Sequence, residues 1–157
     1  MRKAKIVELL FPHHIVDLIE LGKSFAEEKI FQDEYVDEDI LIQSCHNVIA
    51  DTTRKHINCF ISYLDDEPVG FLVGVTTRAF HRNMVVAEQK LWYVKPSARQ
   101  SRAALMLLDE YELWARINGA TQIFTGSANK KLAEQTSKIF IRRGFAQVGA
   151  IHLKEVI

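Results

Sequence analysis

The chain has 157 residues, 48% of them hydrophobic, and its 20 Lys and Arg balance 20 Asp and Glu. That is enough apolar material for one domain, residues 1–157, with a proper core. The balance excludes the broad basic field of a nucleic-acid binder and the acidic tail of a solvating segment.

In chain order, residues 5–10 (KIVELL) read as a short first strand. Pro12 suits the first turn of a helix, and over residues 13–28 Ile15, Leu18, Ile19, Leu21 and Phe25 recur at helical spacing. A second helix over 37–51 carries Ile40, Leu41, Val48 and Ile49, with Asp37, Glu38 and Asp39 suited to its positive end. Residues 58–64 and 68–77 are apolar and β-branched around Asp65-Asp66-Glu67 and predict a hairpin. A third long strand covers 85–94 and ends at Lys95-Pro96. The helix at 101–117 places Ala104, Leu107, Leu108, Tyr111, Trp114 and Ala115 on one stripe, with Asn118-Gly119 at its end. A short strand at 122–125, a helix at 130–143 stopped by Gly144, and one or two closing strands at 145–156 complete the chain. The order β-α-α-β-β-β-α-β-α-β predicts an α/β (α+β) mixed sheet, mostly antiparallel with a central parallel pair, and helices on both faces.

Cys45 and Cys59 fit no metal or redox spacing and read as small core residues of a reduced cytosolic protein. The histidines include the adjacent pair His13 and His14 but no metal-binding spacing, so no metal is expected. The basic start (Arg2, Lys3, Lys5) breaks at Glu8 before a signal-like apolar run forms, and no apolar stretch could span a bilayer. A soluble, cytoplasmic protein with no membrane or nucleic-acid partner is the expectation.

Three stretches carry chemistry: LWYVKPSARQSRAALMLL at 91–108, TQIFTGSAN at 121–129 and IFIRRGF at 139–145. In their order and spacing they resemble the central strand, pyrophosphate loop and helix, asparagine loop and closing motif of the GNAT superfamily of N-acetyltransferases. The resemblance runs over essentially the whole chain and is densest from Glu88 to Phe145. It implies a GNAT-like fold and direct transfer of an acetyl group from acetyl-CoA, as co-substrate and without metal, to an amine on a small molecule or protein. It also admits a homodimer.

The family loop Q/R-x-x-G-x-G/A falls on Arg99-Gln100-Ser101-Arg102-Ala103-Ala104, with Arg102 in place of the middle glycine. A pyrophosphate binds a helix start through free N–H groups and the dipole, which any residue but proline supplies. Glycine is needed only where φ is positive or a side chain would block the approach. Two arginines in a first turn that normally prefers acids favour an anion there over a solvated helix start.

The resemblance further implies that backbone groups of Trp92, Tyr93 and Val94 pair with the pantetheine arm, as an added strand would. Glu88 sits where some histone-type members keep their general base; the alternative is an exposed strand glutamate paired with a neighbour such as Lys90. Asn129 matches the cofactor-contacting asparagine and equally suits a helix N-cap. The tyrosine that commonly protonates the departing thiolate is replaced by Phe140, beside the cofactor arm in this reading. Tyr93, Ser127, Ser137 or Tyr111 would have to substitute, and Tyr111 lies on the core stripe. A thiolate can also leave without an acid. The acidic run Asp33, Glu34, Asp37, Glu38 and Asp39 reads as a solvated loop with helix-start acids rather than a rim for cationic amines. The lost glycine and tyrosine keep open a second reading, a catalytically inactive GNAT-like module that binds CoA or another protein.

Overall fold

Asp65 and Asp66 both adopt left-handed backbone, with φ of 50° and 66°. Two such residues in succession make the turn whose twist matches paired strands, and the hairpin forms where the apolar runs predict it. Its strands are β2 (Ile57–Leu64) and β3 (Glu67–Arg78), joined outside β2 by β1 (Ala4–Glu8) and beyond β3 by β4 (Val85–Val94). The computed structural model describes residues 1–29, 35–127, 129–154 and 156. These fall into two compact units, 1–124 and 125–157.

In the first unit the sheet runs β1-β2-β3-β4-β5, with β5 spanning Ala120–Phe124. All neighbours are antiparallel except β4 and β5, which are parallel. The parallel pair therefore stands at the edge of this sheet, not at its centre as expected. Helices α1 (Pro12–Glu27) and α2 (Glu38–Ala50) cover one face, where Leu18, Leu21, Cys45 and Val48 pack on Ile61, Phe71 and Tyr93. Helix α3 (Ala103–Ile117) covers the other, with the Trp114 ring against Phe60. Helices on both faces of a mixed sheet are what the element order implies.

Helix α1 opens on Pro12, and the backbone N–H groups just before it find a partner that the sequence hides. His14 Nδ1 accepts from the backbone N–H of Leu10 at 3.1 Å and of Phe11 at 3.3 Å. An acceptor on the third helical residue reaching back to the chain before the helix is one half of a capping box. His14 is buried, and burial, reinforced by His13, lowers its pKa, against an opposing pull from Asp17. The folded pKa lies below the ordinary 6.5, so the stabilisation is complete above pH 6.5 and is lost as pH falls below it. Thermal melts from about pH 8 to about pH 5 should show a drop in the acid limb that His14→Gln, which keeps an acceptor but does not titrate, flattens. His14→Ala should cost about 1 kcal/mol at neutral pH.

Asp37 caps α2, its Oδ1 accepting from Ile40 N at 3.1 Å, and Lys23 pairs with Glu38 at 2.6 Å. These helix-start roles are the ones the acidic run predicts; Asp33 and Glu34 lie outside the described residues.

The second unit contains α4 (Ala133–Arg142), closed by Gly144 at φ 88°, with the Phe140 and Phe145 rings 5.8 Å apart edge to face. The closing strand expected over 145–156 is not formed among the described residues. The alternation is present, but a strand exists only when another pairs with it, and Val148, Ile151 and Leu153 remain 80%, 92% and 70% exposed. Gly149 weakens the run further.

Candidate active site

Strand β4 contains one residue too many for its partner. Val73 opposes Leu91 and Gly74 opposes Gln89, so Lys90 is the extra residue of a β-bulge. A one-residue insertion reverses which face later side chains occupy. Glu88 pairs with Val75 and Tyr93 with Phe71, alternate positions on one face of β3, so Glu88 and Tyr93 share that face although they are five apart.

The parallel pair then parts. Pairing between β4 and β5 ends at Glu88 opposite Phe124, while β4 continues to Val94. Tyr111 Oη donates to Phe124 O at 2.9 Å and ties off the last carbonyl of β5. Beside the parting lies a cleft of about 390 Å³, lined by Glu88, Gln122 and Phe124 with Thr77, Arg78 and the β3–β4 connection. That connection is held by Ala79 N to Met84 O at 3.0 Å and by Arg78 Nη1 to Asn83 Oδ1 at 2.8 Å.

Glu88 Oε2 accepts from Lys90 Nζ at 2.8 Å, the neighbour that its strand position suggested. Its side chain is 42% exposed. Oε2 is held by Lys90 and Oε1 is left without a hydrogen bond among the described residues.

Tyr93 does not line the cleft. Its ring packs edge to face on Phe25 at 5.4 Å, and its buried hydroxyl makes no hydrogen bond among the described residues. Burial, then the nearby Glu28 carboxylate, pushes its pKa well above the usual phenol range, so it stays protonated. Tyr111 is fully buried, with its hydroxyl spent on Phe124, consistent with its place on the core stripe.

The turn after β4 has ordinary right-handed geometry. A short 3-10 turn, Pro96–Ala98, leads to Arg99 at φ −63° and to Arg102 at φ −72°, ψ −10°. No residue from 95 to 104 has positive φ, so the backbone does not require the missing glycine. Ser101 Oγ donates to Ala98 O at 2.6 Å and accepts from Ala103 N at 3.2 Å. The N–H groups of Arg102, Ala104 and Leu105 have no partner among the described residues. The Arg102 and Gln100 side chains are exposed, Ala103 is buried and Ala104 half-buried.

Arg99 is used differently from Arg102. Its Nε donates to Val94 O at 3.0 Å and its Nη2 to Glu28 at the end of α1, both partners being half-buried. It braces the end of β4. Its charge is already balanced, which leaves Arg102 as the exposed cation of this turn.

In the second unit, Asn129 Oδ1 accepts from Lys131 N at 3.0 Å, a local turn just before α4. Asn129 is therefore not the N-cap expected of it: α4 begins at Ala133 and its N-cap residue is Leu132, so the Asn129 side chain closes a turn ahead of the helix. Phe140 is buried against Phe145.

Burial raises both thiols, Cys45 to about 11 and Cys59 further, so neither is a thiolate at neutral pH. Among the described residues no cluster of His, Cys, Asp and Glu is placed to hold a metal, and no helix is long and apolar enough to cross a membrane.

Arg78, His81, Arg82 and Gln122 line the cleft without having been singled out from sequence. A signal was present: RAFHR at 78–82 puts three groups able to carry positive charge and an aromatic ring in one hairpin tip.

No family model and no curated protein matches the chain. Solved structures do. AAC(6')-Iy in complex with a CoA–acetylneamine bisubstrate analogue is similar at 16% identity, over 99% of each chain, with a TM-score of 0.74. An acetyltransferase of Trypanosoma brucei follows at 15% identity, over 98% of this chain and 100% of that one, with a TM-score of 0.72. Glucosamine-6-phosphate N-acetyltransferase of Arabidopsis thaliana has 9% identity over 98% of each chain and a TM-score of 0.74. The chain has the fold of these acetyltransferases, the GNAT fold.

Proposed function

We propose that this GNAT-fold chain, acting as one domain over residues 1–157, is an N-acetyltransferase that moves an acetyl group from acetyl-CoA directly to an amine. The observation that carries the proposal is the parting of β4 from β5 at Glu88, with a cleft on one side and the unpartnered N–H groups of α3 at the end of the same strand. Strand ends that separate leave backbone groups and a crevice for an extended ligand.

The residues present fit CoA. The N–H groups of Arg102, Ala104 and Leu105 and the exposed Arg102 guanidinium suit a pyrophosphate. The backbone from Trp92 to Val94 suits the pantetheine arm, and Gln100, Ser101 and Ala103 complete the turn. Asn129 and Phe140 are assigned to the arm on the resemblance alone. Bound acetyl-CoA supplies a thioester-activated acetyl group.

The chain's own part is positioning and proton removal. An amine is protonated near neutral pH and attacks only after losing its proton; Glu88 Oε1, the carboxylate oxygen that Lys90 does not hold, is the acceptor for it. Holding amine and acyl donor together supplies much of the rate. The buried, protonated thiols of Cys45 and Cys59 suit direct transfer with no acyl-cysteine intermediate. The buried Tyr93 hydroxyl stands apart from the cleft, so in this reading the thiolate departs without an acid from β4.

Acetyl-CoA at millimolar concentration should raise the melting temperature by several degrees, since a ligand at about 100 times its Kd adds about 2.7 kcal/mol. Adenosine diphosphate, lacking the pantetheine arm, should add much less. No CoA-dependent shift would overturn the proposal. Phe140 in the acid's usual place favours one rival, a module that binds CoA without turnover, and thioester consumption over an amine panel separates the two.

A further inference from the structure

The cleft beside Glu88 is cationic. Arg78, His81 and Arg82 line it, and Glu88 is the only acidic side chain among its lining residues. That carboxylate already has Lys90 on Oε2 at 2.8 Å. Arg78 is steadied by Asn83 at 2.8 Å through Nη1, which leaves its other N–H groups to bind elsewhere. Neither Arg78 nor Arg82 has a carboxylate partner among the described residues.

Two unpaired guanidinium groups at the wall of a concave site attract anions, and their planar forks match the paired oxygens of phosphate or carboxylate. The same charges repel a polycation. An amine alone gains from Glu88 and loses to the arginines. An amine that also carries an anion satisfies both kinds of charge lining the cleft.

We propose that the acceptor is a primary amine bearing an oxyanion, phosphate or carboxylate, with the anion on Arg78 and Arg82 and the amine turned to Glu88. This specificity rests on the acyltransferase reading of the same cleft.

Matched pairs test it: ethanolamine against phosphoethanolamine, glucosamine against glucosamine 6-phosphate, and cadaverine against lysine, with spermidine as the polycation. Thioester consumption should give the anionic member of at least one pair the larger kcat/KM by about tenfold or more, and the phosphate and carboxylate arms show which oxyanion is preferred. Arg78→Ala and Arg82→Ala should each shrink that preference about tenfold. Equal kcat/KM within every pair, spermidine as the best acceptor, or a preference that survives both variants would overturn the proposal.

Binding is read separately by thermal shift. If no amine turns over, the acyltransferase reading fails. In that case a shift produced by an anionic amine and lost in Arg82→Ala would still support the anion site. No shift from any anionic amine, with or without turnover, overturns it.

Discussion

Glu88→Gln is expected to lower kcat by about 10²-fold to 10⁴-fold, the span ascribed to a positioned general base. Glutamine keeps the shape and an oxygen for Lys90, so folding is preserved and KM for the amine changes little. At 42% exposure the substitution should move stability by no more than about 0.5 kcal/mol. The deficit should shrink as pH rises toward the amine's own pKa, because more of the amine then arrives already unprotonated. That recovery is the readout that a merely structural glutamate would not produce. An unchanged kcat at neutral pH removes Glu88 from the reaction. Lys90→Ala is the companion test: the ammonium holds Oε2 at 2.8 Å but not Oε1, so removing it should lower kcat far less than Glu88→Gln does.

The second large effect is expected at Gly70, on β3 between Ser62 of β2 and Val94 of β4. A Cβ added there would lie 2.7 Å from Tyr93 O and 2.9 Å from both Ser62 Oγ and Val94 Cγ2. A side chain can rotate away, but a backbone carbonyl inside a sheet cannot move without its strand. Gly70→Ala should therefore cost about 1–3 kcal/mol or more, lowering the melting temperature by about 2–4 °C per kcal/mol in a chain of this size. Gly70 pairs with Val94, the residue whose carbonyl Arg99 holds. A displaced strand end moves the turn leading into α3, so CoA-dependent stabilisation should fall as well. Gly149→Ala, with nothing within 4 Å of the added atom, is the control and should leave the melting temperature in place. Equal behaviour of the two variants would refute the steric argument.

The sites readable from sequence are those whose partners lie close in the chain. The Arg102 turn could be judged from the rule that glycine matters only at positive φ, and Arg102 does adopt φ −72°. Asn129 reads from sequence as a cofactor contact or a helix N-cap; its bond to Lys131 N is local, but the helix starts later, at Ala133, with Leu132 as its N-cap. Lys90 lies two residues from Glu88 in the chain, and the pair is present at 2.8 Å. Arg99 reads from sequence only as one of two arginines favouring an anion at the turn; its ion pair with Glu28 is invisible there because the partner is 71 residues away. Tyr93 was offered as an acid because its residue type suits the chemistry; its burial against Phe25 comes from α1, which nothing near Tyr93 in the chain announces. The cleft arginines went unnoticed because a hairpin tip reads as solvent until the strands beneath it are placed.

The sequence alone determined the elements: apolar residues at helical spacing for α1 and α3, Pro12 and Asp37 at helix starts, Asp65-Asp66 at the hairpin, and strand β4 over Val85–Val94 as predicted. Each depends on interactions within a few residues, which a linear pattern records. Only the tertiary structure decided the layout of the candidate site: the extra residue at Lys90 that puts Glu88 and Tyr93 on one face, the parting of β4 and β5 at Glu88 and Phe124, and the arginines among the residues lining the cleft there. These follow from the register between strands distant in the chain. Register is settled by the summed packing of whole faces, where a shift of one residue sends every side chain to the other side.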